Sequence, residues 1–129
     1  MDEKILPAGN KAMIMSDREL LELAAKAAGI TLMPMDVSNV EHPGDDRFIG
    51  YMADPDQWPR GWFNPLVDDG DAFRLMVDLN LDLTFDIIEG EVFVCEPFGD
   101  YWSECLGDNP RAATRRVIVR AAAAIGESL

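Results

Sequence analysis

Leu81-Asp82-Leu83-Thr84-Phe85-Asp86-Ile87, followed by Glu89-Gly90 and Val92-Phe93-Val94, decides the fold of this 129-residue chain. Leu81, Leu83, Phe85 and Ile87 alternate with Asp82, Thr84 and Asp86, the period of two that sends every second side chain to one face of a strand. Glu89-Gly90 supplies a turn, and Val92 to Val94 return as the antiparallel partner. A hairpin with one apolar face needs cover, so the helices on either side of it complete the reading.

Just upstream, Asp68-Asp69-Gly70-Asp71 places carboxylates at the positive end of a short helix carrying Ala72, Phe73, Leu75, Met76 and Leu79. Further upstream, Ser16-Asp17-Arg18-Glu19 forms a capping box. Leu20, Leu23, Ala24 and Ala27 then share one helical face, joined by Leu21 and Ala28, and Gly29 ends the helix. Downstream, Pro97 to Asp108 reads as a connector. Asn109 caps a last helix, Pro110 takes its first position, and Thr114, Val117, Ile118, Ala121 and Ile125 form its apolar stripe, with Gly126 near the end.

Residues 1–15 read as an ordered arm or a frayed start. Thr31 to Val37 suits a short strand held to an edge by Pro34. From Asn39 to Pro65 the chain is rich in turn clusters, with Arg47 to Met52 as a short strand between them. Because long structureless loops are uncommon in compact domains, Trp58, Trp62 and Phe63 are expected to anchor this segment to the core. The fold expected is one α+β domain spanning residues 1–129, with about three helices packed around a small, mainly antiparallel sheet.

Charge is unevenly distributed. The chain carries −13 overall, and between Asp36 and Asp108 eighteen carboxylates face only Arg47, Arg60 and Arg74, whereas Asn109 to Arg120 holds four arginines and no acid. Such a field disfavours direct nucleic-acid binding and anionic membranes, and it favours basic partners. On the last helix, Arg111 and Arg115 flank the apolar stripe, where they can pair with Asp68, Asp69 or Asp71. Arg116 and Arg120 fall nearly opposite and are expected to be exposed. The apolar face of the same helix offers a surface for a homo-oligomer. No apolar run reaches the ~20 residues of a membrane span, and the chain opens without a secretory pattern, so the expectation is a cytoplasmic protein.

Chemical motifs are sparse. His42, the single histidine, sits in a Glu-His-Pro-Gly turn with no nucleophile paired to it, and Cys95 and Cys105 lack the close pairing of a zinc site. Cys95 is expected to be buried in the hairpin and Cys105 partly exposed. Asp68, Asp69 and Asp71 are the strongest metal-binding candidate, but they fail the spacing of a calcium loop, since the twelfth position holds Leu79. No phosphate-binding glycine loop or nucleophile elbow occurs. The expectation is therefore a non-enzymatic protein with no catalytic residue, cofactor or metal. The rivals are a metal-dependent enzyme acting on nucleotides and a self-assembling structural component.

Aromatic and acidic residues do interleave. Trp58, Trp62 and Phe63 lie beside Asp54 and Asp56, and Phe98, Tyr101 and Trp102 lie beside Glu96, Asp100 and Glu104. Aromatic anchors ringed by acids suit a basic protein partner, and Trp58, Tyr101, Trp102, Asp100 and Glu104 are the residues expected to touch it.

Three stretches carry a family resemblance: Asp17 to Gly29, Trp62 to Leu75 (WFNPLVDDGDAFRL) and Asn109 to Ala122 (NPRAATRRVIVRAA). They resemble the small bacteriophage and prophage proteins known as phage ABA-sandwich domain proteins. The resemblance implies a sheet sandwiched by helices and a phage origin, and it brings no catalytic residues; with the acidic, aromatic loops, the partner expected is a host or phage protein with a basic surface.

Overall fold

The computed structural model describes residues 15–33, 51–97 and 99–129. Among the described residues, three helices pack against two small antiparallel sheets, an α+β arrangement as the sequence led us to expect. Local chemistry sets the ends of the helices. At α1 (Asp17–Ala28) the Ser16 hydroxyl accepts from the Glu19 amide while the Glu19 carboxylate accepts from the Ser16 amide, and Gly29 closes the helix at φ 73°. Asp68 caps α2 (Asp69–Asp78) by accepting from the Asp71 amide at 2.8 Å. Asn109 does the same for α3 (Pro110–Glu127), accepting from the Ala112 amide.

The smaller sheet joins β1 (Leu32–Met33), β2 (Tyr51–Ala53) and β3 (Trp62–Phe63). Of the strands expected near Thr31–Val37 and Arg47–Met52, it contains 32–33 and 51–52, with Ala53 added; Thr31 precedes β1 outside the strand, and residues 34–50 (His42 among them), the arm before Met15 and Phe98 lie outside the described residues. The larger sheet contains the expected hairpin, β4 (Asp82–Asp86) and β5 (Glu91–Cys95), with Leu83 opposite Val94 and Phe85 opposite Val92.

The stretch read as a connector supplies a third strand, β6 (Tyr101–Cys105), which pairs with β5 along its whole length. Its inward positions are Trp102 and Glu104, opposite Val94 and Val92. A carboxylate on the buried face hides the apolar alternation that marks a half-buried strand. Arg120 is what makes that carboxylate tolerable: it pairs with Glu104, donates to the Ser103 carbonyl at 2.9 Å, and lies over the Trp102 ring. The expectation that Arg120 is exposed is thereby overturned, since the residue is 5% exposed.

Helix α3 is the centre of the molecule. Every residue from Val117 to Ala123 is buried, so a single apolar stripe understates it: α1 and α2 pack on it, and β5 and β6 cover another side. The helical face expected to be free for a second copy is therefore enclosed by the chain itself. At Gly126 the backbone of α3 comes close to α1, so that an added Cβ would stand 2.0 Å from the Leu23 carbonyl oxygen.

Three of the four arginines of α3 bind acidic groups on other elements. Arg115 reaches Asp69 at 2.6 Å, as the helical geometry suggested, and also donates to the Leu66 carbonyl. Arg116 reaches Asp17 of α1 at 3.0 Å, and Arg120 reaches β6. Three cations of one helix thus each fasten a different acidic element to the centre. Among the described residues, no helix is long and apolar enough to cross a membrane.

Candidate functional site

The β4–β5–β6 sheet has two unlike faces. One carries Leu83, Val92, Val94 and Trp102 toward α3, and the other is fixed by the same register: Asp82, Cys95 and Tyr101 abreast, then Thr84, Phe93 and Ser103, then Asp86, Glu91 and Cys105. This second face is open to solvent at Asp82, Thr84, Cys95, Tyr101 and Cys105. Tyr101 is 66% exposed and lies 6.1 Å from the Phe93 ring in a tilted pair, giving an aromatic patch bordered by Asp82, Asp86 and Glu91. The face thus brings ring surface, a phenol and carboxylates together, a combination of the kind that protein interfaces use.

Of the residues expected to touch a partner, Tyr101 and Asp100 are exposed. Trp102 is in the core, its indole N–H donating to Glu96 at 3.0 Å, and Glu104 points inward to Arg120. Trp58 is also a core residue. It stands edge-on to Phe63 at 5.1 Å and donates its indole N–H to Asp71. Trp58 and Phe63 thus anchor their loop as expected, while Trp62, on the other side of the short β3 strand, is exposed. The sequence reading missed Phe93, Asp82, Asp86 and Glu91, which join Tyr101 only through strand register. Cys95, expected to be buried, is exposed because it falls on the outer row, and both cysteines are free thiols.

The Asp68, Asp69 and Asp71 carboxylates are committed to separate structural tasks. Asp68 caps α2, Asp69 pairs with Arg115, and the buried Asp71 accepts from Trp58, from the Asn64 amide and from Arg74, each at 2.9 Å. Among the described residues, no group of three or more His, Cys, Asp or Glu side chains is arranged to hold a metal ion.

A second feature lies on the other side of the sheet. Burial along β4 fades from Leu81, which is buried, through Leu83, half-buried, to Phe85, 49% exposed. The face expected to be covered runs out of helix at that end, and Ile87 lies in solvent. A cleft of about 370 Å³ opens there between α2, β4 and the first turns of α3.

Comparison with protein-family models, with curated proteins and with solved structures finds no match to this chain.

Proposed function

We propose that this protein is a non-catalytic binding module whose outer sheet face engages a basic surface on another protein. The observation that carries the reading is the Tyr101–Phe93 aromatic pair, with Tyr101 exposed on the outer sheet face, bordered by Asp82, Asp86 and Glu91. An exposed aromatic centre supplies the apolar contact and the acids supply steering and register. A second copy of the chain is a poor occupant, because like-charged rims would meet. Nucleic acid is opposed by the same carboxylates and by the net charge of −13.

The resemblance of Trp62–Leu75 and Asn109–Ala122 to phage proteins supports a setting for this binding: the cytoplasm of a bacterial host, with a host or phage protein as partner. In one form of it the acidic face occupies a groove that otherwise takes a nucleic-acid backbone.

The test is capture from bacterial lysate on immobilised protein at ~0.15 M salt, with elution by rising salt, since screening releases surface ion pairs first. Beside it runs a variant combining Tyr101→Ala with Asp82→Asn and Glu91→Gln. The expected result is a basic protein that elutes early from the native chain and is absent from the variant column. Identical retention on both columns removes the outer face as the site.

A further inference from the structure

The cleft between α2, β4 and the start of α3 is independent of the outer face and lies on the other side of the sheet. Its walls are Ala72, Phe73, Met76, Leu83, Phe85 and Ile118, and its volume of about 370 Å³ falls in the range of small-ligand sites. Phe73 is 60% exposed and Phe85 49%, so two of the aromatic rings that line the cleft stand half in water.

The polar groups of the lining narrow the ligand. Thr114 is satisfied internally, its hydroxyl donating to the Pro110 carbonyl at 2.7 Å. Arg115 is held by Leu66 and Asp69, and Asp69 is neutralised in return. Arg111 also lines the cleft; it is exposed, and no bond or ion pair from its guanidinium is found among the described residues. Among the described residues, the cleft is therefore an apolar trough with one uncommitted cation, Arg111, at its lip.

We propose that it binds an amphipathic monocarboxylate, with the apolar body between Phe73, Met76, Leu83 and Phe85 and the carboxylate on the Arg111 guanidinium. A neutral apolar ligand leaves Arg111 unused, and an organic cation meets two arginines. A phosphorylated ligand brings more negative charge than one free guanidinium can match in a chain of net charge −13. One carboxylate on an apolar body suits both, because the planar guanidinium pairs with it through two parallel hydrogen bonds.

Titration calorimetry of the full chain at ~0.15 M salt, with decanoate, decanol and decylammonium, tests this assignment. Decanoate is expected to bind one per chain and at least about tenfold more tightly than decanol, the scale of one charge-assisted contact, with no saturable heat from decylammonium. Arg111→Gln, a change at an exposed residue, is expected to erase the preference for decanoate while leaving decanol unchanged; Phe73→Ser is expected to weaken both. In the native chain, rising salt is expected to shrink the preference without any substitution. Absence of saturable decanoate binding overturns the proposal. So does decanol binding as tightly as decanoate, or a preference that survives Arg111→Gln, either of which would mark an apolar groove for a protein segment.

Discussion

The indole N–H of Trp58 donates to a carboxylate oxygen of Asp71 across 2.9 Å, with both side chains withdrawn from solvent. Asp71 also accepts from the Asn64 amide and from Arg74, whose guanidinium lies 5.7 Å from the Trp58 ring centre. One carboxylate thus pins the loop after β2, the entry to α2 and an arginine to a single point. Its burial is sustained by these donors, because an ionised carboxylate without them is far too costly to withdraw from water.

Replacing Asp71 by Ala should be severely destabilising. It strands the indole N–H and the Asn64 amide in the interior and leaves Arg74 without its nearest anion. Breaking a buried pair costs ~3–5 kcal/mol, and because Arg74 is partly exposed the expected loss is about 3 kcal/mol. Urea unfolding measures it. Trp58→Phe, which keeps an aromatic ring but deletes the donor and the second ring of the indole, should cost less, about 2 kcal/mol. Equal losses for the two variants would show that the ring, and not the carboxylate, organises this corner.

What the sequence disclosed and what it hid divide along local and tertiary chemistry. Ser16 with Glu19, Gly29, Asp68, Asn109 and the β4–β5 alternation act within a few residues of themselves, so they could be read directly, while helical geometry offered Arg111 and Arg115 to Asp68, Asp69 or Asp71 without choosing the Arg115–Asp69 pair that forms. Strand β6 was hidden because Glu104 faces the core, which is intelligible only once Arg120 is seen beside it. Asp71 had the local signature of a helix-start acid and became the buried acceptor of a distant indole. The outer face emerged only when strand register set Phe93 beside Tyr101, and the cleft arises where helix cover runs out, which no residue pattern encodes.

Two neighbouring arginines of α3 should behave differently. Arg120 is buried against Glu104, Ser103 and the Trp102 ring, whereas the Arg116–Asp17 pair sits at the surface. Arg120→Ala should cost about 3 kcal/mol in chemical unfolding, through the uncompensated Glu104 and lost packing on Trp102. Arg116→Ala should cost no more than about 1 kcal/mol, and less at high salt. Similar losses from the two would contradict the burial of Arg120.

Adjacent aromatics of β6 separate binding from stability. Trp102→Ala removes a buried ring and should cost ~3–5 kcal/mol. Tyr101→Ala removes one that projects into solvent and contacts only Phe93 among the aromatic rings described, so its cost should stay below about 1 kcal/mol. Thermal melts of the two single variants check this. A large loss for Tyr101→Ala would mean that the ring supports the fold, and its effect on partner capture could no longer be assigned to contact.

Gly126 sets two opposing effects against each other. In an isolated helix, Gly→Ala is worth roughly 1 kcal/mol of stabilisation through reduced chain entropy. In α3 the new methyl would fall 2.0 Å from the Leu23 carbonyl oxygen, a backbone atom that cannot turn aside as a flexible side chain would. Relief requires α1 and α3, which pack closely and each bury core residues such as Leu20, Ala24 and Ala121, to move apart. Overpacking of this kind costs ~1–3 kcal/mol or more, and with rigid backbone on the receiving side the upper end applies. Gly126→Ala should therefore lose about 2 kcal/mol net, seen as a lowered melting temperature, and Gly126→Val should prevent stable folding. A melting temperature raised by Gly126→Ala would show that the helices do not approach this closely in solution.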